Sequence, residues 1–369
     1  MAHHFRLPGN PELAWSRGEP DSTELLLERK GIGTILTHDD DLQIIALGNA
    51  FVAYAAGNAA LCICAAHSLE ALRNLDRTQI PRFPHLPPND GELVDPEFLS
   101  PDRLKVIFES PDGKDFVDCR LVDLHFQADN DLALLVVHDT AERGFFGLQM
   151  PLNLDVPRVG DVVMMVGHRL SVDHAEREES GPQVGEAAIL SQSLEARRGL
   201  VTDVQFERSG KGQSFVIHTT FPSLPGMSGS PVFLDLKKGD QMSPIGLLSA
   251  DLSDDRAEND QRIAGRSTVS MLWPIAGLGM MMTWESEEAP RLTVLADLLA
   301  REKVPNASRR SELDCNLSRS RTVLRFFDPA HGRCELETPG HPLASDQGVA
   351  VHIHPSRASV GPAKFSCRH

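Results

Sequence analysis

From Glu24 onward this chain is written in short apolar or alternating runs cut by Gly, Asn and Asp, and that punctuation most restricts its fold. Runs of this length, bounded by turn residues, read as β-strands rather than helices. The first two stretches are LLLERKGIGTILTHDD and LQIIALGNAFVAYAAGNAALCICAAH. Strands are then expected at Leu104–Ser110, Phe116–Leu124 and Leu132–Val137, with a Pro-Asp-Gly turn between the first two. A second series begins near Val156: the apolar run VVMMVGH, then Gly199–Glu207, Ser214–Phe221, Pro244–Ala250 and Thr268–Trp273. Helix signals are few. Ser68–Asn74 is a short candidate, and residues 291–302 place Leu292, Leu295, Leu298 and Leu299 on one face. Residues 81–102, dense in proline and acids, read as a surface loop, and 171–188 as a polar, acidic insertion. The fold class expected is all-β.

Composition excludes several functions. A formal net charge of -16 over 369 residues would repel nucleic-acid phosphates. The residues 1–22 are polar and broken by proline, so no signal peptide is expected, and the longest apolar runs are short for a membrane span. The six cysteines are unevenly spread, unlike a disulfide framework. Cys62 and Cys64 alternate within one strand pattern and are expected as buried thiols. These features point to a reducing cytoplasm, with no cofactor, no metal, no nucleic acid and no membrane partner. After Val304 the composition shifts towards Arg, Ser, His, Pro and Gly with no sustained period, which predicts a disordered tail. His352 and His354 lie near cysteines there, but their spacing fits no regular zinc module.

The stretch that carries chemistry is Pro225-Gly226-Met227-Ser228-Gly229-Ser230-Pro231. Ser and Gly are poor strand formers, so a tight turn is expected within a β-rich run. Such a turn can expose a serine hydroxyl beside converging backbone N–H groups, the arrangement acyl transfer requires. An ordinary Gly/Ser loop is the plain alternative. The G-x-S-x-G elbow of α/β-hydrolases is excluded, because Ser230 occupies its last position. A serine nucleophile needs a base, and among fifteen histidines His67 stands out by ending the apolar run LCICAAH. The orienting carboxylate is sought at Asp131, which abuts the apolar run LALLVV; Asp129 competes two residues away.

Taken in order, AAHS, DNDLALL and GMSGSP resemble the three signature segments of the chymotrypsin-like (trypsin-fold) serine peptidases. The closest likeness is to the bacterial branch that includes the DegP/HtrA and glutamyl-endopeptidase types. GNAFV, RVGDVVMMVGH, RRGLVTDV, FVIHTTFPSLPGMSGSP and PIGLLSA resemble connecting segments of that family, so the likeness covers about residues 24–285. It implies a double six-stranded β-barrel followed by a C-terminal helix and an irregular tail. The implied boundaries are an arm at 1–23, a first barrel at 24–150 with His67 and Asp131, a second at 151–288 with Ser228, the helix at 289–303 and the tail at 304–369. It further implies Ser228 as nucleophile, His67 as general acid/base and Asp131 as its orienter. The N–H groups of Gly226 and Ser228 would form the oxyanion hole. Ser249 would support Asp131 or bind substrate backbone.

Departures from the family sharpen the expectation. Ser68 stands where many secreted relatives carry a half-cystine, and Met227 stands where relatives activated by cleavage carry an aspartate. Pro222, six residues before Ser228, replaces the acid that binds Lys or Arg, and Leu248 replaces the histidine of Glu-specific members. Pro222, Leu248, Ser249, Ala250 and Asp251 are therefore the expected substrate-binding positions, with a lean to small or apolar P1 residues. No PDZ domain follows. The expected function is an intracellular serine endopeptidase acting on protein or peptide substrates, with room for a regulatory partner. The alternative is a catalytically silent scaffold of the same fold that serves as an interaction module.

Overall fold

The computed structural model describes residues 3–6, 12–17, 31–38, 44–69, 103–109, 116–127, 130–139, 145, 148–174, 188–209, 212–221, 226–234, 243–249, 267–276, 279–282, 291–295, 298–299, 311–316, 321–328, 332–339 and 366–368. Two short strands open the chain, β1 (His3–Arg6) and β2 (Glu12–Arg17). Six strands follow: β3 (Ile32–His38), β4 (Ile44–Ala56), β5 (Ala59–Ala65), β6 (Lys105–Glu109), β7 (Phe116–Gln127) and β8 (Leu132–Asp139). They close into a barrel in the order β3-β4-β5-β8-β7-β6.

The next six are β9 (Val162–His174), β10 (Ala188–Ser209), β11 (Gly212–Thr219), β12 (Pro231–Leu234), β13 (Pro244–Ser249) and β14 (Ser267–Met271). Their pairings run β9-β10-β11-β14-β13-β12 and return to β9, so this ring also closes. Each barrel thus follows the same order of first, second, third, sixth, fifth and fourth strand, the double barrel expected. Within the expected arm at 1–23, β2 pairs in parallel with Ile189–Gln192 of β10 and extends the second sheet.

Burial explains why β5 reads as an unbroken apolar run. Leu61, Ile63 and Ala65 join a core cluster shared with Val163, Met165, Val232, Leu247 and Trp273 of the second half. Cys62 and Cys64 face the other way, into the first barrel with Val106, Phe108, Cys119 and Leu135. The strand is covered on both faces, so alternation of polar and apolar residues is lost. β8 does the same, with Leu132 and Leu134 in the shared cluster and Ala133, Leu135 and Val137 in the barrel interior. Within the first barrel Phe108 and Phe145 meet edge-to-face, with centroids 5.8 Å apart. Cys62, Cys64 and Cys119 are free and buried.

Two expectations are corrected, and one strand is added. A four-residue strand, β12, follows the Ser228 turn at once; at that length it has no period for a sequence pattern to reveal. Residues 268–273 were expected as one strand, but β14 stops at Met271 and a one-turn helix, α1 (Trp273–Ala276), caps it with all four residues buried. The helix expected over 291–302 begins later. β15 (Gly279–Met282) pairs with β16 (Arg291–Val294), and helical backbone appears at Leu295, Leu298 and Leu299. Thr293 and Val294 are β-branched, and with an adjacent partner strand they take the extended state instead of the first helical turn.

The tail expected to lack order carries a four-stranded antiparallel sheet: β17 (Ser311–Asn316), β18 (Arg321–Asp328), β19 (Gly332–Pro339) and β20 (Ser366–Arg368). Its centre is a hairpin whose first strand, RTVLRFFD, is rich in β-branched and aromatic residues; overall composition hid that local signal. Residues 70–74, the 81–102 loop, His352 and His354 lie outside the described residues. Among the described residues no helix is long and apolar enough to cross a membrane.

Candidate active site

The odd-numbered face of β5, which meets the second barrel, continues through Ala65 to His67 in the single 3-10 turn that follows the strand. The His67 side chain retains 30% exposure. Asp131 lies across from it, in the turn that opens β8, and is only 4% exposed. Its backbone φ is 51°, a left-handed conformation that costs a non-glycine residue about 1 kcal/mol and that aspartate tolerates better than most. That turn folds the carboxylate back over the end of β5. Oδ1 accepts the backbone N–H of His67 at 2.8 Å. His67 Nδ1 lies 2.8 Å from Oδ2 and 3.1 Å from Oδ1. The Asp131 carbonyl also accepts the Ala66 N–H at 3.1 Å. Both the main chain and the ring of His67 are therefore held by one residue. With Nδ1 protonated and donating to the carboxylate, Nε2 is the free basic nitrogen.

A third group joins from the second barrel. Ser249, at the end of β13, is fully buried, and its hydroxyl donates to Asp131 Oδ2 in a very short hydrogen bond. Ser249, Thr268 and His218 occupy one rung across β13, β14 and β11. Thr268 Oγ1 lies 3.3 Å from His218 Nδ1. Leu248 lies on the neighbouring rung with Val269 and Ile217, in the shared apolar core. Pro222, Ala250 and Asp251 lie outside the described residues.

The turn carrying Ser228 is clamped from both barrels. From the second, the Gly229 N–H donates to the Leu248 carbonyl at 2.7 Å, and the Leu248 N–H to the Ser230 carbonyl at 2.8 Å. From the first, the Asn49 N–H donates to the Ser228 carbonyl at 2.6 Å. Inside the turn, the Met227 carbonyl accepts both the N–H of Ser230 at 3.0 Å and its hydroxyl at 2.6 Å. In a trans peptide the N–H points opposite to the carbonyl, so the Ser228 N–H faces away from Ser230. Two glycines make the packing feasible. Gly229 has φ +82°, and a Cβ there would collide with the Asn49 carbonyl and sit 3.2 Å from the Ala65 nitrogen. At Gly167 of β9 a Cβ would collide with the Ser230 hydroxyl. A Cβ on Gly48 would sit 2.6 Å from the Ser228 carbonyl oxygen and 3.0 Å from the Ser68 hydroxyl, so the turn abuts the residue next to His67.

His67, Asp131 and Ser249 thus form one hydrogen-bonded chain across the barrel seam, and the turn carrying Ser228 is bonded to Leu248, next to Ser249, and approaches Ala65 and Ser68, on either side of His67. Among the described residues, neither the Ser228 hydroxyl nor His67 Nε2 makes a hydrogen bond, and the N–H groups of Gly226 and Ser228 meet no acceptor. Long or unmade contacts between nucleophile and base are common before substrate binds. Beneath the site, burial first and the nearby charge of Asp131 second hold the Cys64 thiol well above its usual value, and burial does the same to Cys62. These sulfurs therefore stay protonated and are poor nucleophiles.

Sequence reasoning missed Asn49. It is fully buried in β4, and its side chain bonds to the backbone of both His168 and Gly226. An asparagine inside an apolar strand run is unusual enough to have flagged it.

No protein-family model matches the chain, and no curated protein sequence matches it. Among solved structures it is similar to that of Deg5, with 18% identity over 62% of this chain and 82% of that one, at a TM-score of 0.38. It is also similar to human heparin binding protein, with 12% identity over 69% of this chain and 90% of that one, again at a TM-score of 0.38.

Proposed function

We propose that this protein is a serine endopeptidase of chymotrypsin-like fold, acting through an acyl-enzyme. The observation that carries the reading is the chain His67–Asp131–Ser249, built from both barrels, with the Ser228 turn packed against its sequence neighbours Ala65, Ser68 and Leu248. In this mechanism Ser228 Oγ attacks the scissile carbonyl while His67 Nε2 accepts its proton. Asp131 keeps the Nδ1 proton in place and stabilises the imidazolium that forms. The N–H groups of Gly226 and Ser228 receive the developing oxyanion. His67 then gives its proton to the leaving amine, and water repeats the sequence on the acyl ester. Neither a metal nor a cofactor has a part in it.

The substrate is a protein or peptide, with P1 small or apolar, since Pro222 and Leu248 offer no countercharge to a basic side chain. The sequence motifs favour the DegP/HtrA or glutamyl-endopeptidase branch, and the free thiols Cys62, Cys64 and Cys119 accord with a reducing, cytoplasmic setting. Access to the cleft is the step a regulatory partner would control.

The test is covalent labelling by a fluorophosphonate probe. Labelling should map to Ser228 and vanish in Ser228→Ala and His67→Ala. A folded protein that takes up no label would instead favour the silent-scaffold reading.

A further inference from the structure

We infer that Asn49 is a positioning residue for the oxyanion hole, which it holds open from the opposite barrel; this rests on the serine-peptidase reading above. Its side chain is wholly buried, and each of its hydrogen bonds goes to main chain. Oδ1 accepts the His168 N–H at 2.9 Å, while Nδ2 donates to the His168 carbonyl at 3.0 Å and to the Gly226 carbonyl at 3.1 Å. Exchanging the amide's nitrogen and oxygen would set donor against donor and acceptor against two acceptors, so the orientation is unambiguous. The same residue's own N–H donates to the Ser228 carbonyl at 2.6 Å, and its carbonyl packs on the Gly229 α-carbon. One residue of β4 thus grips the turn at Gly226, Ser228 and Gly229, anchored to β9 while it does so.

This grip falls where the turn is softest. Gly226 has φ +79°, and among the described residues nothing lies within 4 Å of the space a Cβ would fill. A glycine in open space populates either sign of φ, so packing does not hold this peptide in place. Residues 222–225 precede it as a connection rich in proline, and the side chain that follows, Met227, is apolar and offers no polar anchor. The Met227 carbonyl is fixed by Ser230, which sets the Ser228 N–H. The bond from Asn49 Nδ2 fixes the next peptide back, Gly226–Met227, and so places the Gly226 α-carbon from which the other donor projects. The Ser228 donor and the α-carbon that carries the Gly226 donor are then pre-set before substrate arrives, with no charged group involved.

The experiment compares the full-length protein with Asn49→Ala and Asn49→Asp. Alanine removes all three side-chain bonds. Aspartate keeps the shape but presents an acceptor to the Gly226 carbonyl. Second-order labelling by the fluorophosphonate, whose phosphoryl oxygen enters the hole, should fall by about 10- to 100-fold in both variants, somewhat less than deleting a hole donor outright. Hydrolysis of an acetyl-Ala-Ala-Leu p-nitroanilide should lose kcat by a similar factor with KM changed less than about threefold. The acid limb of the pH–rate profile, set by the untouched His67–Asp131 pair, should not move, whereas a general loosening would shift it together with KM. Equal labelling of parent and variants overturns this inference alone. So does a loss matched by the unfolded fraction, or failure of both variants to fold, since Asn49 would then be a structural clasp. A folded parent that takes up no label overturns the peptidase reading and this inference with it.

Discussion

Asp131→Asn tests the candidate site with the least disturbance to the fold. Asparagine is nearly isosteric and tolerates the left-handed backbone at φ 51°, so no new strain is introduced. What changes is the donor pattern. Oδ1 accepts the His67 backbone N–H, so an amide nitrogen at that place would face another donor. The amide therefore turns its NH2 to the Oδ2 position, where it meets His67 Nδ1. Nδ1 must then be the acceptor, which moves the ring proton to Nε2. A ring protonated at Nε2 cannot take the proton of Ser228. The Ser249 hydroxyl, which donated to Oδ2, also loses its acceptor. Loss of the correct tautomer in this constellation costs roughly 10⁴ in kcat, or about 5.4 kcal/mol at 1.36 kcal/mol per decade. Folding stability should fall by only about 1–3 kcal/mol, the cost of weakening buried hydrogen bonds to a charged group. The assays are steady-state hydrolysis of a peptide p-nitroanilide, thermal unfolding, and nitrogen NMR of the His67 ring to identify the protonated nitrogen. Turnover within tenfold of the parent, with the NMR showing the proton on Nε2, would refute the assigned roles of both residues.

Three further outcomes are expected. Ser249→Ala removes one of the donors to Asp131 but leaves His67 in place, so kcat should fall only about 3- to 30-fold, as loss of a single charge-assisted hydrogen bond implies; an unchanged pH–rate profile and kcat would show the bond to be idle. Because burial raises the Cys62 and Cys64 thiols, the folded state keeps both protons at a pH where the unfolded chain has released them. Stability is then unaffected below the ordinary thiol value of 9.0 and declines above it, by up to about 1.4 kcal/mol per pH unit per thiol. Denaturant titrations of Cys62→Ala/Cys64→Ala should show a shallower alkaline decline than the parent, and parallel curves would contradict the burial argument. On a peptide panel varied only at P1, Leu, Val, Met or Ala should be cleaved faster than Arg, with selectivity limited to about 1–3 kcal/mol per methylene; faster cleavage after Arg, abolished by Asp251→Ala, would identify a countercharge on that loop and reverse the expectation.

The residues disclose their roles unevenly. His67 is conspicuous because it ends a strand covered on both faces, and such strands leave unbroken apolar runs. Asp131 is conspicuous because it borders another. The left-handed backbone that aims its carboxylate has no signature beyond the identity of the residue. Asn49 shows in the sequence only as a polar residue inside an apolar run; its task lies in what crosses the seam, and contacts between positions 49, 168 and 226 leave no spacing to read. The same holds for β1 and β2, whose place depends on an edge offered by a strand more than 170 residues later. The tail and the region 291–294 were misread for the opposite reason. There a whole-segment average or a helical period outweighed β-branched residues that pair locally.

That the two rings share one strand order bears on the chain while it is still being synthesised. His67 and Asp131 belong to the ring that emerges first from the ribosome; Ser228 and Ser249 belong to the second, and Ser249 ends its fifth strand. Under the proposed peptidase reading, a nascent chain would hold His67 and Asp131 without Ser228 until the second ring emerged, and Ser228 without the Ser249 bond to Asp131 until residue 249 had followed. Activity would then wait on completion of the second ring.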